Sequence, residues 1–127
     1  MSILHRVRIG PSLTWLVLGL SACGGKAAPD ADVCRDLVHR LCLAPRCPLV
    51  DERLSVVDDC EATLLARTGC GADEFAFESL SRRRFLDCRA PVLRSGLGPE
   101  VRPACEDVAE SFDECPDLVG FLRTGAP

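Results

Sequence analysis

The chain has no Tyr, Asn or Gln and a single Lys, and its only Met, Trp and Ile residues lie within the first 15 positions. No site chemistry requires such gaps, and they read as the coding bias of a GC-rich genome. Other absences exclude classes of function. There is no run of about twenty apolar residues, the length a membrane-spanning helix needs. There is no basic excess either. The formal net charge is −4, whereas a nucleic-acid partner calls for a basic face. No Cys-x-x-Cys occurs, which removes the usual zinc and dithiol spacings. No Gly-x-Ser-x-Gly occurs, which removes the strand-to-helix elbow of serine hydrolases.

What is present begins with an export signal. Residues 1–8 carry Arg6 and Arg8, residues 9–20 are largely apolar, and small residues precede Cys23. Together they form the tripartite plan of a secretory leader. The four residues Leu20-Ser21-Ala22-Cys23 resemble the lipobox of bacterial lipoproteins. That resemblance implies cleavage between Ala22 and Cys23 by signal peptidase II and diacylglycerol on the Cys23 sulfur. It also implies fatty acylation, palmitate as a rule, of the new amino terminus. Several acyl chains anchor stably where one does not. Gly24 stands where inner-membrane lipoproteins often carry aspartate, so the resemblance points to the outer membrane of a Gram-negative bacterium, on its periplasmic or surface face. The rest of the chain is similar in composition to uncharacterised cysteine-rich lipoproteins of GC-rich Gram-negative bacteria, a likeness that carries no activity.

The expected organisation is a signal peptide at 1–22, a lipidated tether at 23–31 and a cysteine-rich helical domain at 32–127. Removing 22 of the 127 residues leaves 105, and losing Arg6 and Arg8 with them moves the formal charge from −4 to −6. Leu, Val and Phe make up roughly a quarter of that mature chain, above the level of disordered segments. A domain this small buries only about 60–68% of its surface, so covalent staples help it.

The cysteines supply the staples. With Cys23 set aside for lipid, eight remain: Cys34, Cys42, Cys47, Cys60, Cys70, Cys88, Cys105 and Cys115. An even number in an exported small domain reads as a disulfide framework. Helix geometry restricts the pairing. Cys34 and Cys42 lie eight residues apart on one predicted helix, about 12 Å along its axis, whereas a bridge needs Cα atoms within about 4.4–6.8 Å. The same reasoning disfavours Cys60–Cys70 and Cys105–Cys115, so most bridges should join different helices. Cys42–Cys47 stays open as a local alternative across Pro45.

The fold class is all-α, a small disulfide-stapled bundle of about four helices. The first is predicted over 32–43 with Asp30 or Asp32 as N-cap. Val33, Cys34, Leu37, Val38, Leu41 and Cys42 form its apolar half; Arg35, Asp36, His39 and Arg40 form the polar half. A second is predicted over 51–67, ending at Gly69. Residues 73–78 do not decide between loop, strand and helix. A third begins after Ser81 and kinks at Pro91. A fourth follows Pro103 to about residue 113, and a short last one begins at Asp117 and buries Leu118 and Phe121.

Candidate chemistry is sparse. Cys34, His39, Cys42 and Cys47 cluster in sequence, but exported cysteines oxidise rather than ligate zinc, so we expect no metal site. The segment from Cys34 to Cys42 is similar to the helix-borne histidine of secreted phospholipases A2. That family follows its histidine with aspartate, where this chain has Arg40, and the glycine-rich calcium loop is missing. No catalytic residue is assigned, and no cofactor is expected beyond the covalent lipid on Cys23. Arg82-Arg83-Arg84 fan out around a helix, although Arg83 and Arg94 share a face. Glu106, Glu110 and Asp113 form an acidic stripe. Glu61 and Arg89 each interrupt an apolar arc and are expected to meet as an ion pair or to reach water. The leading expectation is a membrane-anchored, non-enzymatic interaction or structural module at the envelope, binding a protein or glycan through loops near 45–48 and 96–99. The alternative is a small envelope hydrolase or lipid-handling enzyme.

Overall fold

The computed structural model describes residues 27–127. The expected signal peptide, its expected cleavage point between Ala22 and Cys23, the expected lipidation site Cys23 and the first part of the expected tether lie outside the described residues. Among the described residues the chain is all-helical. Six α-helices follow in order: α1 Asp30–Cys42, α2 Pro48–Leu54, α3 Cys60–Thr68, α4 Arg82–Arg89, α5 Cys105–Glu114 and α6 Pro116–Thr124. A 3₁₀ turn, Ala90–Leu93, continues α4. None of the described helices is long and apolar enough to cross a membrane.

The local signals account for most boundaries. Ser81 caps α4 by accepting from Arg84 N, and Gly69 ends α3 in the left-handed conformation. Pro91, which lacks the N–H that an α-helix interior needs, converts the end of α4 into the 3₁₀ turn. Pro116 opens α6. At α1 the helix starts two residues earlier than its sequence suggests. Asp30 is therefore inside the helix, and its carboxylate accepts instead from Phe77 N and from Arg82.

The expected 51–67 helix is two helices. Ser55 adopts φ 52°, ψ 50°, which no α-helix accommodates, and Asp59 caps a fresh start by accepting from Ala62 N. The break lets Leu54 and Cys60 both point into the core, at 0% and 4% exposure. It is held by Arg67, which donates to the carbonyls of Leu54 at 2.5 Å and Ser55 at 2.8 Å. Residues 73–78, left open by the sequence, form no helix or strand.

Helices α3 and α6 pack together, as do α1 and α3, and α5 lies against the 3₁₀ turn. Leu37, Leu41, Leu54, Leu64, Phe85, Phe112, Leu118 and Leu122 fill the centre. Four of the five phenylalanines, Phe75, Phe77, Phe85 and Phe121, form one cluster with centroids 4.7–6.2 Å apart. Such aromatic pairs add about 0.5–1.5 kcal/mol each beyond area burial. Buried Ser111 donates to Cys88 O at 2.7 Å, tying α5 to α4 without leaving a polar atom unpaired.

The disulfides complete the framework. Cys34–Cys70, Cys42–Cys60, Cys47–Cys105 and Cys88–Cys115 have Cα separations of 5.5–5.9 Å and span 18 to 58 residues of sequence. Each ties together parts of the chain far apart in sequence, and the local Cys42–Cys47 alternative is not formed. Four such bridges belong to an oxidising, exported environment.

Candidate interaction surface around Arg40 and Leu97

Arg40, expected on the polar face of α1, is 4% exposed. The segment 96–98 folds over it. Its Nε donates to Asp36 Oδ2 one turn earlier at 2.8 Å. Its Nη1 donates to the carbonyls of Gly96 and Gly98 at 3.0 Å, and its Nη2 to that of Leu97 at 2.5 Å. Three successive carbonyls thus converge on one planar donor set, a match a lysine ammonium cannot reproduce. Gly96 makes it possible with φ +152°, and a Cβ there would come within 3.2 Å of both Val101 methyls.

Asp36 balances the buried charge. Its Oδ2 also lies 3.7 Å from Arg89 Nη1, so it sits between two guanidinium groups. Burial pulls Arg89 below its ordinary pKa, and the adjacent Asp36 pulls the other way. Of the two outcomes expected from sequence, the Glu61–Arg89 ion pair is not formed: Arg89 turns to Asp36, and Glu61, partly exposed to water, turns to His39. The reason is the placement of α1 between them, which offers each residue a closer partner of opposite sign.

His39 is half-buried rather than free. Its Nδ1 is 3.3 Å from Glu61 and its Nε2 is 3.5 Å from Glu100, so α1, α3 and the 94–104 connection meet at one imidazole. Nothing links it to a cysteine. Cys34, Cys42 and Cys47 are all bridged elsewhere. Cys88, Cys115 and Asp117 place a sulfur–sulfur–oxygen cluster within 4.8 Å, but both sulfurs are consumed by their disulfide and offer no thiolate.

Of the two loops singled out from sequence, the one near 45–48 is held against the chain that follows the one near 96–99. Cys47–Cys105 ties the first to the start of α5, six residues beyond the second, and Arg102, between them in sequence, donates to Pro45 O at 3.2 Å. Leu97 stands in the 96–99 loop at 78% exposure, while its own carbonyl is held by Arg40. An exposed leucine alone is ordinary. One on a backbone fixed by a buried guanidinium is presented without the entropy loss that a floppy loop suffers on binding.

Most of the other charged candidates are absorbed by ion pairs, Arg83 and Glu106 excepted. Arg82 pairs with Asp30, and Arg84 with Asp117 at 2.8 Å, so the arginine run is not a patch. Arg94 binds Asp107 and Glu110, and Arg53 binds Asp113, which neutralises most of the acidic stripe on α5. The sequence offered no direct sign of the Arg40 clamp. Its only trace is Asp36 four residues before an arginine and a distant Gly-x-Gly. No family model, curated protein or solved structure matches the chain.

Proposed function

We propose that this protein is a lipid-anchored envelope protein whose helical domain is a non-enzymatic interaction module. The observation that carries the reading is the cysteine pairing. All eight cysteines from Cys34 to Cys115 are taken up in four disulfides, so Cys23 alone is left over for lipid. The partner surface is the one around Leu97, and its partner is an envelope protein or a glycan. The position of His39 weighs against the hydrolase alternative. Its ring nitrogens face carboxylates, Glu61 at 3.3 Å and Glu100 at 3.5 Å, rather than a hydroxyl or thiol that it could activate.

The anchor is tested by expressing the full chain and its Cys23→Ser variant in a Gram-negative host fed labelled palmitate. Label on the parent, none on the variant, and delivery to the outer-membrane fraction are expected. A parent that stays unlabelled overturns the anchor. The surface is tested by in vivo cross-linking of the full chain against Leu97→Asp. A specific adduct lost in Leu97→Asp supports the module, and identical adduct patterns overturn the assignment of that surface.

A further inference from the structure

A cavity of about 330 Å³ that shares no lining residue with the 96–99 loop lies between the ends of α3 and α6 and the irregular segment 74–80. Thr68 and Gly125 line one side, Phe75 and Phe121 provide aromatic wall, and Glu74 and Glu78 bring two carboxylates. No basic side chain lines it. Neither Glu74 nor Glu78 pairs with a basic side chain among the described residues.

The backbone adds negative potential of its own. Helix α3 ends at Thr68 and α6 at Thr124, and both C-termini abut the cavity. The two ends touch, since a Cβ on Gly125 would collide with the Arg67 carbonyl oxygen. Helix C-termini carry partial negative charge. The arginines in these last turns do not cancel it in the cavity. Arg67 is committed to the Leu54 and Ser55 carbonyls. Arg123 lies two residues past Phe121, about 200° round the helix.

The wall is fixed before any ligand arrives. Arg35 donates to Cys70 O at 2.7 Å and to Asp73 at 2.6 Å, Asp30 accepts from Phe77 N at 3.0 Å, and Leu80 is buried. Phe75 packs between Phe77 and Phe121.

We infer that this cavity binds an alkylammonium group, carried either by a lysine side chain of a partner or by a free amine. Aromatic walls favour an apolar stem and attract a cation. Two exposed carboxylates beside two helix C-termini suit the compact, multidirectional ammonium. The volume is at the small end of ligand sites and takes one such group rather than an extended ligand. The inference is independent of the lipid anchor, because the cavity is formed entirely within the folded domain.

The test is a ¹H–¹⁵N correlation titration of the full oxidised chain in detergent. The probes are Nα-acetyl-lysine N-methylamide and 1,5-diaminopentane, with the uncharged Nα-acetyl-norleucine N-methylamide as the shape control. Saturable shifts confined to Thr68, residues 74–80 and residues 121–125 are expected with both cations and absent with norleucine. Tighter binding of the lysine probe identifies a protein partner, and tighter binding of the diamine a free amine. The Glu74→Gln/Glu78→Gln variant should weaken binding about fivefold, and Glu52→Gln/Glu114→Gln, exposed acids elsewhere, should leave it unchanged. If the double variant loses its native spectrum, the single variants replace it, each with about a twofold effect. Shifts spread over all acidic surfaces, equal binding of norleucine, or binding insensitive to both glutamates overturns the proposal.

Discussion

Replacing Arg40 by Met removes the guanidinium while keeping an unbranched stem of similar bulk in the α1 interface. Four hydrogen bonds are lost, to Asp36 and to the carbonyls of Gly96, Leu97 and Gly98. A bond to a charged partner contributes about 1.5–3 kcal/mol, but these do not add. The loop carbonyls regain water once the clamp is gone, because Leu97 and Gly98 are exposed. The desolvation cost of burying the charge is also recovered, and Asp36 keeps Arg89 as a partner. The expected net loss is about 3 kcal/mol. For a domain of this size that lowers Tm by about 12–24 °C, measurable by calorimetry or thermal circular dichroism. The loss should be local first. Gly96 N bonds to Leu93 O and Val101 N to Gly98 O, so both amides should exchange much faster in Arg40→Met while the α3 and α6 amides hold. Arg40→Lys keeps the charge but not the fork, and should recover less than half of the loss. A Met variant within about 0.5 kcal/mol of the parent, or one whose 96–101 amides keep their protection, refutes the clamp.

Three further outcomes follow from other parts of the fold. In the chain-entropy account, Cys47–Cys105 closes the longest loop, so Cys47→Ser/Cys105→Ser should cost about 4 kcal/mol against about 3 for Cys42→Ser/Cys60→Ser. Denaturant titration under non-reducing conditions compares them, and the reverse order would contradict it. Gly125→Ala should destabilise by more than about 1 kcal/mol, because its φ of +80° disfavours a side chain and the methyl meets the Arg67 carbonyl; chemical denaturation reads this, and a neutral result would mean that the α3–α6 ends are not in contact. Acid should unfold the domain through specific carboxylates. The Phe77 N–H and then Arg82 hold Asp30 below the ordinary carboxylate range, Arg84 does so for Asp117, and Arg94 for Glu110. Groups whose folded pKa is lowered stabilise above the unfolded value and lose that contribution as pH falls through the folded one. Stability should therefore hold near neutrality and decline below about pH 4. Asp30→Asn should flatten the decline, and an unchanged acid limb would show that this carboxylate is not responsible.

The sequence by itself determined the helical class, the Ser81 and Gly69 caps, the Pro91 kink and the apolar stripe of α1. These are local matters, set by backbone sterics and by a period that places Val33, Leu37 and Leu41 on one side. It also determined that most bridges had to join different helices, with only Cys42–Cys47 left open as a local pair, because a helix cannot bend Cys34 onto Cys42. It did not show the break at Ser55, since Leu54, Cys60 and Leu64 fit one continuous apolar arc as well as two short ones. Only the tertiary structure decided which cysteines met, since any pairing of separate helices satisfies the same bond geometry. It also decided the fate of Arg40. A helical wheel ranks residues against a single core direction, and Arg40 became buried because a segment more than fifty residues away folded over the opposite face. The same limit explains the misplaced Glu61–Arg89 pair. Charges choose the nearest partner in space, and α1 put His39 and Asp36 in their way. The cavity beside Glu74 and Glu78 is likewise a product of assembly, because two helix ends and an irregular segment create it only once they are brought together.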